Sequence, residues 1–157
     1  MKFIVIMREG EQDPKTGGLD TAAWKLKATE HTARLLRLKF PRALTVRIVA
    51  AQTWLAVETA QVVCKAFQCP MEQDVAFRST NSDALLLNCA AAYAAICRRD
   101  SADVVIAIVD TAYAMDLPFH VGGRVRCANI SRIGLQRNAA WVFDLAGRRM
   151  DMLRDGT

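Results

Sequence analysis

The chain has 157 residues, 52% of them apolar, and carries a formal net charge of +5 with a pI near 9.2. That length suits one domain, 1–157, with its own core and no need of disulfide or metal staples. No apolar run approaches the roughly 18 residues of a membrane span, and the N-terminus lacks a signal-peptide pattern. The basic residues are scattered and not interleaved with aromatics, which argues against a nucleic-acid-binding role.

The five cysteines, Cys64, Cys69, Cys89, Cys97 and Cys127, form no C-x-x-C pair. They read as reduced, buried thiols of a cytoplasmic protein rather than as zinc ligands. The densest basic cluster, Arg34, Arg37, Lys39 and Arg42, falls near an expected helix end, where cations complement the helix dipole.

Along the chain, Phe3–Met7 is a short apolar run closed by Arg8-Glu9-Gly10, the pattern of a buried strand running into a loop. A turn-rich loop over 11–19 follows. Asp20 or Thr21 can cap the next helix, which ends near Leu38, before Pro41. Its apolar face is Ala22, Leu26, Thr29, Ala33 and Leu36.

Leu44–Ala50 reads as a strand interrupted by Arg47. Trp54–Phe67 reads as a helix with a core stripe of Trp54, Val57, Ala60 or Gln61, and Cys64. A short strand is expected around Val75–Phe77. A further helix is capped by Asn81 or Ser82 and buries Leu86, Cys89, Tyr93 and Ile96–Cys97.

Val104–Val109 is continuously apolar, the mark of a central parallel strand covered on both faces, and it ends in Asp110-Thr111. Beyond it the pattern predicts a short helix or irregular turn over 112–117 and a turn at Gly122-Gly123. Strands are expected over 129–136 and 140–145, and a polar tail that frays or adds an edge strand. Strands alternating with helices give an α/β three-layer sandwich, its central sheet mainly parallel with helices on both faces.

Ligands of such sheets bind at the carboxyl ends of the strands, which puts Arg8, Glu9 and Asp110 at the lip of the crevice. IVIMREGE over 4–11, AAQTWLAVETA over 50–60 and VVIAIVDT over 104–111 resemble, in order and spacing, segments of the histidine phosphatase (phosphoglycerate-mutase-like) superfamily. The size suits its compact branch, which holds the bacterial phosphohistidine phosphatases.

The resemblance implies a phosphoryl-transfer pocket built from a nucleophilic His, two arginines and a second His. Of these only Arg8 is kept. Glu9 stands at the nucleophile's place, Leu55 at the second arginine's and Asp110 at the second histidine's. Gly10 and Glu11 are kept as loop-shaping residues, and Thr53 and Thr111 offer hydroxyls at the lip.

Arg8 against Glu9 and Asp110 leaves a net charge of −1. At about 4 Å and an effective dielectric near 20, each like-charge pair involving a phosphoryl dianion costs roughly 4 kcal/mol before screening. Phosphoryl transfer depends mostly on electrostatic stabilisation. The expectation is therefore a pseudoenzyme or binding module for a small molecule or protein. The alternative is an altered enzyme, a hydrolase of phosphorylated substrates that uses the Glu9 and Asp110 carboxylates.

No resident cofactor is called for. A divalent cation on the oxygen ligands of Glu9 and Asp110 is the metal reading. His120, Arg124 and Arg126 could reach over the crevice from downstream, and the resemblance allows a homodimer.

Overall fold

The computed structural model describes residues 1–78 and 85–154, except for the side chains of 85–87. Strands β1 (Phe3–Arg8), β2 (Val46–Ala50), β3 (Met71–Gln73), β4 (Val104–Val109), β5 (Ala140–Asp144) and β6 (Arg149–Leu153) form one six-stranded sheet. Its order is β3-β2-β4-β1-β5-β6. The first four strands run parallel, while β5 is antiparallel to β1 and β6 to β5. β4 lies at the centre with all six residues buried, as its unbroken apolar sequence predicts. The polar tail supplies β6 at the edge of the sheet.

The helices are α1 (Ala23–Lys39), α2 (Trp54–Phe67), α3 (Leu85–Cys97) and α4 (Tyr113–Arg124). The steps β1-α1-β2 and β2-α2-β3 move toward one edge, and β3-α3-β4 moves back. Right-handed crossovers therefore put α1 and α2 on one face and α3 on the other. Accordingly α1 packs on α2, and α3 on α4. No helix among the described residues is long and apolar enough to cross a membrane.

Several local expectations are corrected. α1 starts at Ala23 without a side-chain cap. Asp20 instead accepts from the Ala22 N–H at 2.9 Å, and the buried face is Thr29, Thr32, Ala33 and Leu36, so Ala22 and Leu26 lie outside it. α2 has the expected bounds but a rotated core face, Leu55, Ala56, Thr59, Ala60 and Val63, and Trp54 is 62% exposed.

The short strand comes earlier than expected, at Met71–Gln73, and Val75–Phe77 is a single 3₁₀ turn. Arg47 on β2 grips Glu72 on β3 with two hydrogen bonds of 2.7 and 2.6 Å. The Asn81 or Ser82 cap and the burial of Leu86 fall outside the described residues. Within α3, Cys89, Ala92, Ala95 and Ile96 are buried.

The largest departure is α4. It runs through Pro118 and Gly122-Gly123 where a short helix or irregular turn, and then a turn, are expected. Proline has no N–H for the carbonyl four residues back, and that carbonyl, Ala114, accepts instead from the Leu135 N–H at 2.9 Å. A Cβ on Gly122 would stand 3.1 Å from Ile130 Cγ1 and 3.3 Å from Met150 Sδ, so glycine lets the 129–136 segment lie close against the helix. That segment joins no ladder; it is an irregular strap, not a strand.

Candidate functional site

β1 and β4 end side by side. Arg8 is in register with Val109, and the Glu9 N–H donates to the Val109 carbonyl at 3.1 Å. Glu9 and Asp110 therefore leave the sheet as neighbours at the carboxyl ends of its two central strands.

Glu9 is 7% exposed, and its Oε2 is buried without a hydrogen-bond partner among the described residues. Burial, and then the nearby Asp110, push its carboxyl up to about 7. Arg137, Arg8 and the Thr111 backbone N–H oppose that rise. Asp110 accepts at Oδ1 from the Tyr113 N–H at 3.3 Å, which ties it to the first turn of α4.

Arg8 donates from Nη1 to the Leu135 carbonyl at 2.9 Å and from Nη2 to Thr111 Oγ1 at 3.2 Å. Its Nε is buried without a partner among the described residues. Burial and then Arg137 lower its pKa, but a guanidinium stays cationic across the physiological range. Arg8, Glu9, Asp110 and Thr111 are thus brought together as expected.

The loop after β1 is fixed from several sides. The Gly10 N–H donates to Thr59 Oγ1 at 3.0 Å, and that hydroxyl donates to the Leu55 carbonyl at 2.8 Å. A Cβ on Gly10 would stand 2.6 Å from Leu19 Cδ1. Glu11 lies 3.8 Å from Arg137 Nε. Thr53 caps α2, accepting from the Ala56 N–H at 3.2 Å, and Leu55 is buried, at 5% exposure, in the first turn of that helix.

Residues the sequence reading passed over complete the arrangement. Arg137 donates from Nη1 to the Gly10 carbonyl at 2.7 Å. Asn138, in the left-handed region at φ 64°, accepts at Oδ1 from Thr29 at 2.6 Å and at its carbonyl from Thr32 at 2.6 Å. An Arg-Asn pair before an apolar strand signals a turn, since asparagine tolerates that backbone region. Nothing local tells that the turn returns to the end of β1.

Arg137 enters the charge count. With Arg8 it supplies two cations, but Glu11 lies 3.8 Å from it, so Arg8 and Arg137 against Glu9, Asp110 and Glu11 leave a net charge of −1 when all three carboxyls are ionised and none when Glu9 holds its proton.

His120 and Arg124 do not reach over the crevice. They line a separate cavity of about 460 Å³ between α3 and α4. The cysteines are free thiols, but only Cys89 and Cys127 are buried. Burial pushes the Cys64 and Cys89 thiols up to about 11, which leaves them poorly nucleophilic. Among the described residues no group of three or more His, Cys, Asp or Glu side chains converges as a metal cage. A cation at the crevice would rest on the Glu9 and Asp110 pair.

No sequence-family model matches the chain, and no curated protein matches it by sequence. Its likeness to solved structures is extensive. The protein histidine phosphatase SixA, in a complex with tungstate, aligns with a TM-score of 0.63 at 15% identity over 96% of this chain and 94% of that one. A mycobacterial glucosyl-3-phosphoglycerate phosphatase complexed with VO3 aligns with a TM-score of 0.65 at 11% identity, covering 97% of each chain. A mutant phosphoserine phosphatase of Entamoeba histolytica, complexed with phosphoserine, aligns with a TM-score of 0.63 at 10% identity over 97% of this chain and 95% of that one. Identities this low speak to the fold alone: the chain has the histidine-phosphatase, phosphoglycerate-mutase-like fold.

Proposed function

We propose that this chain is a catalytically degenerate protein on the histidine-phosphatase fold, a pseudoenzyme or binding module. The observation that carries the reading is the Glu9 carboxyl, buried beside Asp110 where the resemblance places a nucleophilic imidazole. Leu55 is a buried apolar side chain at the place of the second arginine. Arg137 does not replace that arginine freely, because the Gly10 carbonyl and Glu11 engage it. At neutral pH a phosphoryl dianion would approach a partly ionised Glu9 and Asp110 with Arg8 alone uncommitted to a carboxylate. The crevice suits a neutral or cationic group of a small molecule or protein. A cytoplasmic location is part of this reading, supported by the free cysteines.

A second reading rests on the same carboxyl. A group titrating near 7 beside a second carboxylate suits general acid–base work, as in a hydrolase of phosphorylated substrates. Glu9 and Asp110 could also share a divalent cation that keeps several waters.

A thermal-shift screen separates these. Wild type and the Glu9→His, Asp110→His double variant are tested with phosphate, vanadate, sulfate, Mg²⁺, Mn²⁺ and Ca²⁺, beside turnover assays on p-nitrophenyl phosphate and phosphoramidate. A ligand at 100 times its dissociation constant adds about 2.7 kcal/mol of stability. The degenerate reading expects no turnover and no anion response in wild type, with an anion response in the double variant. Stabilisation of wild type by vanadate, or turnover of either substrate, overturns it. Stabilisation by a divalent cation that Glu9→Gln abolishes supports the metal form of the second reading.

A further inference from the structure

The irregular strap over 129–136 lies against α4, Ile130 at Gly122 and Gly134 at Met115, and α3 packs on the same helix. Between them lies the cavity of about 460 Å³, lined by Cys89 of α3, Asp116, Phe119, His120 and Arg124 of α4, and Arg132 of the strap. Small-molecule sites typically enclose about 300–1,000 Å³. Asp116, His120 and Arg124 recur every fourth residue, so one face of α4 presents a carboxylate, an imidazole and a guanidinium in line.

Both guanidiniums are held by aromatic rings rather than by carboxylates. Arg132 lies 4.0 Å from the Phe119 ring centroid, and Arg124 lies 5.3 Å from that of Tyr93. Among the described residues neither enters an ion pair. A stacked guanidinium keeps N–H donors along its edge for a second partner. His120 Nε2 is buried with no hydrogen-bond partner among the described residues, a rare state for a buried polar atom. Burial, and then Arg124, hold its pKa below the ordinary value, so the ring is neutral at pH 7.

We propose that this cavity is a binding site for a small organic anion. A carboxylate or phosphate head lies between Arg124 and Arg132, a planar apolar body lies against Phe119, and one polar group meets His120 Nε2. Asp116 sits two turns from Arg124, about 12 Å along the helix axis at 1.5 Å per residue. It stays clear of the anionic head and accepts a donor at the ligand's other end.

The site is distinct from the crevice, since Arg8, Glu9, Asp110 and Thr111 do not line it. Tyr113 stands between the two. It is 1% exposed, donates its hydroxyl to the Ala76 carbonyl at 2.9 Å, and feels the charge of both Cys89 and Asp110.

Titration calorimetry tests the proposal with phenyl phosphate and benzoate as probes, and with inorganic phosphate and benzyl alcohol as head-only and body-only controls. Wild type should bind at least one aromatic anion at least tenfold more tightly than either control, on the order of 1.4 kcal/mol. The tighter of the two identifies the head as phosphate or carboxylate. Arg124→Glu and Arg132→Glu, both exposed positions whose folding is checked by melting curves, should weaken binding at least tenfold. Glu9→Gln, which removes a negative charge from the crevice at a residue without contact to the strap, should leave it unchanged. The proposal is overturned if neither aromatic anion binds, if both charge reversals bind as wild type does, or if Glu9→Gln tightens binding tenfold, which would place the probe in the crevice.

Discussion

The Leu135 N–H donates to the Ala114 carbonyl at 2.9 Å, a carbonyl left open because Pro118, four residues along α4, has no N–H to offer it. The Leu135 carbonyl in turn accepts Arg8 Nη1 at 2.9 Å. A proline inside a helix thereby fixes the strap that holds an arginine at the end of β1. Pro118→Ala restores an N–H that competes for Ala114. Hydrogen exchange of the Leu135 amide should quicken by about tenfold, equivalent to roughly 1.4 kcal/mol of lost local protection. Unchanged exchange would show that the strap does not depend on the proline.

Glu9 makes stability depend on pH with a definite sign. Its folded-state pKa, about 7, lies above the ordinary value of 4.5. Below 4.5 both folded and unfolded states hold the proton. Between 4.5 and about 7 only the folded state holds it, so stability falls as pH rises through that window, by at most about 3 kcal/mol. Glu9→Gln removes the titrating group. Denaturant unfolding at a series of pH values should give a flatter profile for the variant, with higher stability than wild type at pH 8.

Arg137 opposes the rise in the Glu9 pKa and caps the Gly10 carbonyl. Arg137→Ala should move the Glu9 titration further up, read from its carboxyl carbon by NMR. It should also cost about 1.5–3 kcal/mol for the lost charged hydrogen bond. A Glu9 titration that stays in place would remove Arg137 from the site.

The loop after β1 has no room for a side chain. On Gly10→Ala the new Cβ would meet Leu19 Cδ1 at 2.6 Å, Thr29 Oγ1 at 2.9 Å and Asn138 Oδ1 at 3.0 Å, and overpacking of this kind costs about 1–3 kcal/mol. Thr59→Val strands the buried Gly10 N–H at a similar cost, whereas Thr59→Ser keeps the acceptor and should be nearly neutral. Thermal melts of the three variants decide this. Trp54→Ala, at an exposed position, serves as the control and should stay within about 0.5 kcal/mol of wild type.

The sequence by itself determined β1, α2 and β4, because a strand buried on both faces must be apolar throughout and a helix must repeat near every fourth residue. Through them it also determined which ends of the sheet carry Arg8, Glu9 and Asp110. Tertiary structure decided what local signals misreport. Pro118 and Gly122 read as breakers, but α4 continues because Leu135 takes the open carbonyl and Ile130 packs where a Cβ on Gly122 would crowd it. The core face of α2 turns away from its most apolar stripe because Thr59 is held inward by the Gly10 N–H. Arg137 reaches the loop after β1 from 127 residues away, a pairing set by strand order rather than by any neighbouring residue, and it brings Glu9 a cation that the three matched segments alone do not contain.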